Sequence, residues 1–131
     1  MIQERYGPEV ELCDIGSGGL ALLDHLHSQE LMIVVDACFQ GKPPGEICVM
    51  EPNLDTQTMD VTSVHQIGPL ETLAVAKRLF QEKMPQRILL IIVETNGIDD
   101  KTEKAACQQV VAILDMEIEA WQRNHITSIG K

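Results

Sequence analysis

Leu31-Met32-Ile33-Val34-Val35, followed at once by Asp36-Ala37, is the stretch that decides the fold. Five consecutive apolar side chains leave neither face of an extended segment polar. That is the pattern of a parallel-sheet strand covered on both sides. Downstream, Gly41-Lys42-Pro43-Pro44-Gly45 reads as a turn and Glu46 to Met50 as a short strand. Ile88 to Val93 is the most hydrophobic run and is expected at the centre of the sheet. Upstream, Val10 to Ile15 reads as a strand ending at Gly16-Ser17-Gly18-Gly19, and Leu20, Leu23 and Leu26 follow at helical spacing as far as Ser28. Pro69 suits the first turn of a helix that runs to Glu82, with Leu70, Leu73, Ala74 and Phe80 inward. Met84-Pro85 stops it. Cys107, Val110, Val111, Leu114, Ile118 and Trp121 form one stripe of a final helix from Asp100 to Arg123. Strands alternating with helices define an α/β chain. The expected architecture is a three-layer αβα domain over residues 1–131 with a mostly parallel, twisted sheet.

Composition narrows the class. With 44% hydrophobic and 23% charged residues, the 131-residue chain can bury a core and should not be disordered. Its formal charge of −10 argues against a nucleic-acid binder or an anionic membrane surface. The six-residue run Ile88 to Val93 is far too short to span a bilayer as a helix, and Glu4 and Arg5 spoil any apolar signal segment. A soluble, cytoplasmic domain is expected. Cys13, Cys38, Cys48 and Cys107 have no Cys-x-x-Cys or zinc-finger spacing and read as small buried hydrophobes. His25, His27 and His125 read as surface residues.

Two constellations carry potential chemistry. Gly16-Ser17-Gly18-Gly19-Leu20-Ala21 matches Gly-x-Gly-x-x-Gly/Ala between a strand and a helix, with Asp36 about 20 residues on, as in a dinucleotide-binding fingerprint. Against it stand the negative charge of Asp14 beside the phosphate position and the shortness of the helix that follows. The second constellation is Asp36 at a strand's carboxyl end with His65 just before the helix at Pro69. That edge is where open α/β sheets bind ligands, and mixed oxygen and nitrogen donors suit a borderline divalent metal. Two ligands are too few for a tight site, and either residue alone could be a cap. Glu94, after the central strand, reads as a structural cap, with a substitute ligand role as the alternative. No Ser-His-Asp or Cys-His arrangement is evident from spacing, so no catalytic residue is assigned.

Val10-Glu11-Leu12-Cys13-Asp14-Ile15-Gly16-Ser17-Gly18-Gly19, Leu31 to Ala37, Pro44-Gly45-Glu46-Ile47 and Ser63-Val64-His65-Gln66-Ile67-Gly68 resemble, in order and spacing, motifs of the hydrogenase maturation endopeptidases. The resemblance implies an endopeptidase that removes the C-terminal extension of a nickel–iron hydrogenase large-subunit precursor after nickel insertion. It implies nickel carried by the precursor as the recognised metal, with Asp36 and His65 among its ligands; another divalent metal could occupy the site in isolation. Gly16, Ser17 and Gly18 become substrate-binding candidates. The family's third ligand lies in a first strand–loop–helix unit that has no counterpart here. Met1 to Pro8 reads as the tail of a helix, so the chain is expected to be N-terminally incomplete relative to the family. A homo-oligomer or low stability is expected to follow. Two alternatives remain: a non-catalytic relative that docks on a hydrogenase subunit, and a dinucleotide-binding protein using Gly16, Gly18 and Asp36.

Overall fold

A computed structural model of the chain describes residues 6–15, 19–55 and 68–129. Three strands form one mixed sheet: β1 (Leu31–Cys38), β2 (Ile47–Met50) and β3 (Arg87–Glu94), in the order β1-β3-β2. The longer ladder is parallel, with Leu31 opposite Arg87 through to Cys38 opposite Glu94. The shorter one is antiparallel, from Ile47 opposite Val93 to Met50 opposite Leu90. The eight residues between β1 and β2 hold no helix, so the chain reverses direction and β2 runs against β3. Because β3 lies between them, this connection passes over the end of the central strand.

Two α-helices accompany the sheet: α1 (Pro69–Leu79) and α2 (Asp100–Ile129). Alternation along the strands separates two faces. On one face, Met32, Val34 and Leu90 pack with Leu73 and Ala76 of α1, with Leu22 and Leu26 around a 3₁₀ segment (Gly19–His25), and with Leu54. Leu89 and Ile91 are buried on the other face, the side of α2. There Leu114, Ile118 and Trp121 line a groove with Leu31, Ile33 and Val35. Polar ties hold α2 across this face. Trp121 Nε1 donates to Glu30 at 2.8 Å, Arg87 pairs with Glu117 at 3.6 Å, and Gln122 donates to the Tyr6 carbonyl at 3.0 Å.

Local chemistry explains the ends of the elements. Asp99 Oδ1 accepts the Thr102 backbone N–H at 2.7 Å and caps α2. Hydrogen bonds from the Thr102 hydroxyl and N–H hold the Asp99 carboxyl below its usual range. Gly45 has φ +87°, and a Cβ there would stand 2.7 Å from Thr102 Cγ2. Only glycine lets the turn before β2 press against the start of α2.

Several expectations need correction. Val10 to Ile15 is irregular rather than a strand. The segment after it is a 3₁₀ turn, for which the three-residue spacing of Leu20, Leu23 and Leu26 is as suitable as for an α-helix. Helix α1 stops at Leu79, and a separate 3₁₀ turn (Gln81–Lys83) follows. Phe80 is 39% exposed because the helix has ended at it, and Thr72 and Ala76 take buried places instead. Cys13 and Cys107 are exposed and only Cys38 and Cys48 are partly covered; Ala106 occupies the buried position on α2 beside Cys107. Among the described residues, no helix is long and apolar enough to cross a membrane. Asn53 to Val64, whose polar sequence with little periodicity reads as a long surface loop, lies largely outside the described residues.

Leu73 is fully buried between α1 and the sheet. Leu73→Ala is expected to lower unfolding stability by about 2–5 kcal/mol, the cost of lost transfer energy plus a cavity. Urea denaturation checks this through a lower midpoint at unchanged slope.

Candidate functional site at the carboxyl edge of the sheet

Where the loop after β1 crosses the end of β3, its backbone N–H groups have no ladder partner. Glu94, the last residue of β3, supplies the acceptors. Its side chain is 1% exposed, and Oε1 accepts the N–H of Gln40 at 2.8 Å and of Lys42 at 3.0 Å. The strand backbone adds Gly45 N–H to the Glu94 carbonyl at 2.8 Å, and Glu94 N–H to the Glu46 carbonyl at 2.9 Å. Burial pushes the Glu94 carboxyl up, but the N–H groups of Lys42, Gln40 and Asn96 outweigh it and hold the group below its usual range. The capping role read from its position at the strand end is correct. A buried carboxylate spending its lone pairs on the loop is poorly placed to hold a metal.

Asp36 lies within β1, opposite Ile92, rather than just beyond the strand, because β1 continues to Cys38. Its parity matches Met32 and Val34, so it faces the α1 side of the sheet. The group is half-buried. Desolvation raises its carboxyl above the ordinary range, the Ala37 N–H partly opposes this, and the negative charge of Glu71 raises it further. Glu71 belongs to the first turn of α1, where an acid complements the helix dipole. It folds back over Gly68, with Oε2 2.8 Å from the position a Cβ on that residue would take. The Glu71 charge is thus felt at Asp36 where β1 passes the start of α1. Such a field favours a bound cation or a protonated carboxyl over two free negative charges.

Sequence reasoning missed Glu71. The available signal was an acid three residues after Gly68, the first-turn position where glutamate folds back on the cap. Cys38 sits opposite Glu94 on the same face. Burial, then the Glu94 charge, push its thiol up, which makes it a poor nucleophile at neutral pH. Phe39, next along the loop, is 77% exposed beside this edge.

The other sequence-derived positions, His65 and Gly16, Ser17 and Gly18, lie outside the described residues. The elements flanking the glycine run bear on the dinucleotide reading all the same. That fingerprint needs a strand before the glycines and an α-helix N-terminus after them. The chain has an irregular segment before and a 3₁₀ turn after.

The fold and site define an α/β protein with an acidic centre at the carboxyl edge of a mixed sheet. Residues 1–120 match the family described as HycI: Hydrogenase maturation protease. The chain belongs to that family. The hydrogenase expression/formation protein HoxM of Cupriavidus necator is 30% identical over 120 residues, which are 84% of this chain and 58% of HoxM. HupD of Thiocapsa roseopersicina, another hydrogenase expression/formation protein, is 33% identical over 93 residues, 70% of this chain and 41% of its own. The chain thus spans about half the length of these relatives. The solved structure of the hydrogenase maturating endopeptidase HybD from E. coli aligns with a TM-score of 0.56 at 23% identity. The alignment covers 82% of this chain and 72% of that one. The α/β fold is shared.

The Glu94 carboxyl is held down in the folded state, so it adds stability that is present above its unfolded value and lost as pH falls. Glu94→Gln is expected to lower the melting temperature at pH 7 and to flatten its decline on acidification below the ordinary glutamate range. Thermal melts of both proteins from pH 7 to pH 3 check this; parallel curves would contradict it.

Proposed function

We propose that this chain acts in hydrogenase maturation as a metal-recognising endopeptidase, removing the C-terminal extension of a nickel–iron hydrogenase large-subunit precursor after nickel insertion. The observation that carries the reading is the placement of Asp36. Its half-buried carboxylate stands on the α1 side of the sheet's carboxyl edge, within the field of Glu71, in a chain of the maturation-protease family. A divalent cation relieves the unfavourable field that partial burial and the Glu71 charge create at Asp36. The nickel is a feature of the substrate rather than a resident cofactor. Asp36 and His65 hold it in this reading, His65 standing three residues before Gly68 in sequence. Gly16, Ser17 and Gly18 are the proposed contacts to the substrate chain.

The protein's part in the chemistry is positioning. Asp36 and His65 seat the metal-bearing end of the precursor, and Glu71 keeps the local field negative. Phe39 offers the incoming peptide an exposed apolar contact on a loop that Glu94 holds rigid. Metal bound there polarises a nearby carbonyl or lowers the pKa of a water, the chemistry needed to cleave one amide bond beside the site. A pI near 4.7 suits a basic partner segment and a cytoplasmic encounter with the precursor.

The test is processing of purified nickel-loaded precursor, followed by intact mass. The wild-type chain is expected to shorten the precursor by one defined extension. Asp36→Asn and His65→Ala are expected to cut at least roughly 100-fold more slowly, with unchanged melting curves. Normal cleavage by His65→Ala would remove that residue from the site. Tight binding of the precursor by the wild-type chain without any cleavage would leave a docking role in place of the peptidase.

A further inference from the structure

A second donor cluster lies by the amino half of β1, in a groove whose lining does not include Asp36. Glu11, Cys13 and His25 bring a carboxylate oxygen, a thiol sulfur and an imidazole nitrogen within 4.8 Å of one another. The Cys13 Sγ–Glu11 Oε1 distance is 3.2 Å, with the thiol donating. Two of the donors come from the irregular segment 10–15 and the third from the end of the 3₁₀ turn (Gly19–His25). All three border the groove of about 530 Å³ between the amino half of β1 and α2, which His27 also lines. The composition of this cluster is informative. Hydrogen-bonding clusters of surface acids are common, but a thiol, an imidazole and a carboxylate converging from two separate elements form a donor set of mixed softness.

We propose that Glu11, Cys13 and His25 form a binding site for zinc or a similar borderline divalent cation, distinct from the Asp36 edge. Bonds of about 2.0–2.3 Å to N, O and S donors place tetrahedral ligands roughly 3.3–3.8 Å apart, a small contraction of the observed cluster. Sulfur and imidazole select against magnesium and calcium, which take oxygen ligands. On binding, the cation replaces the thiol proton that now points at Glu11, and one proton leaves to solvent. Three protein ligands leave a fourth position to water. The bound cation ties the irregular segment 10–15, which no ladder holds, to the core-packed turn that carries Leu22. The inference does not rest on the peptidase reading: it uses different residues, and its test involves no precursor.

The test uses the full chain, first stripped with a chelator, and titrates it with Zn²⁺ and with Co²⁺. One equivalent is expected to bind with sulfur ligation, the Co²⁺ form showing a sulfur-to-metal charge-transfer band in the near ultraviolet that any cation held at the Asp36 edge lacks. Zn²⁺ is expected to slow alkylation of Cys13 at least roughly tenfold while leaving Cys107, also exposed, unaffected. Cys13→Ser and His25→Ala should each weaken binding at least roughly tenfold, and Asp36→Asn should leave it unchanged. Equal alkylation of Cys13 with and without Zn²⁺ would overturn the proposal even if the variants fold poorly. So would a Co²⁺ spectrum without sulfur character, or binding lost in Asp36→Asn but kept in Cys13→Ser.

Discussion

The arrangement at the carboxyl edge of the sheet depends on one buried carboxylate. Strand order β1-β3-β2 forces the connection from β1 to β2 across the end of the central strand, where its N–H groups would otherwise be desolvated and unpaired. Glu94 occupies that end and accepts two of them, while its own backbone binds Gly45 and Glu46. The same contacts keep the carboxyl ionised despite burial. Hydrogen bonds to a charged acceptor are about twice as strong as neutral ones, which suits a single side chain to holding a whole loop.

From that anchor the neighbouring chemistry follows. A fixed loop places Phe39 at the surface and leaves Asp36 half-covered on the α1 side. Helix α1 brings the charge of Glu71 to bear there with its first turn. Desolvation and the Glu71 charge raise the free energy of the ionised Asp36, an unfavourable local term of the kind that clusters at functional sites. Stability resides elsewhere, in Leu73 and Leu90 on the α1 side of the sheet and Ile91 on the other. The roles of the two acids differ for a physical reason. Glu94 has backbone donors to satisfy it, whereas Asp36 has one opposing N–H and a like charge.

Much of this was legible from residue patterns. Two long apolar runs became β1 and β3 in parallel register because a strand covered on both faces needs no polar alternation. The start of α2 at Asp100 and its inner positions Ile118 and Trp121 also followed from spacing, while the Asp99 cap emerged only in the structure. Less legible were features decided by geometry between elements. Val10 to Ile15 alternates as a strand does, yet it runs irregularly near the open edge of β1, since strand structure depends on cross-strand pairing and packing as well as on pattern. Cys107 shares the helical period of the buried stripe, but Ala106 takes the buried place because a long helix meets the sheet along a narrow line.

By itself the sequence determined the α/β class, the acidic character, the positions of the two main strands and the motifs shared with the maturation-protease family. These depend on short-range periodicity and residue chemistry, which a linear string records in full. Only the tertiary structure decided that β2 runs antiparallel, that Glu94 is committed to the loop, that the Glu71 charge is felt at Asp36, and that Glu11, Cys13 and His25 converge. Each of these joins residues whose proximity arises from strand order and packing, and no spacing rule along one chain encodes the meeting of two separate elements.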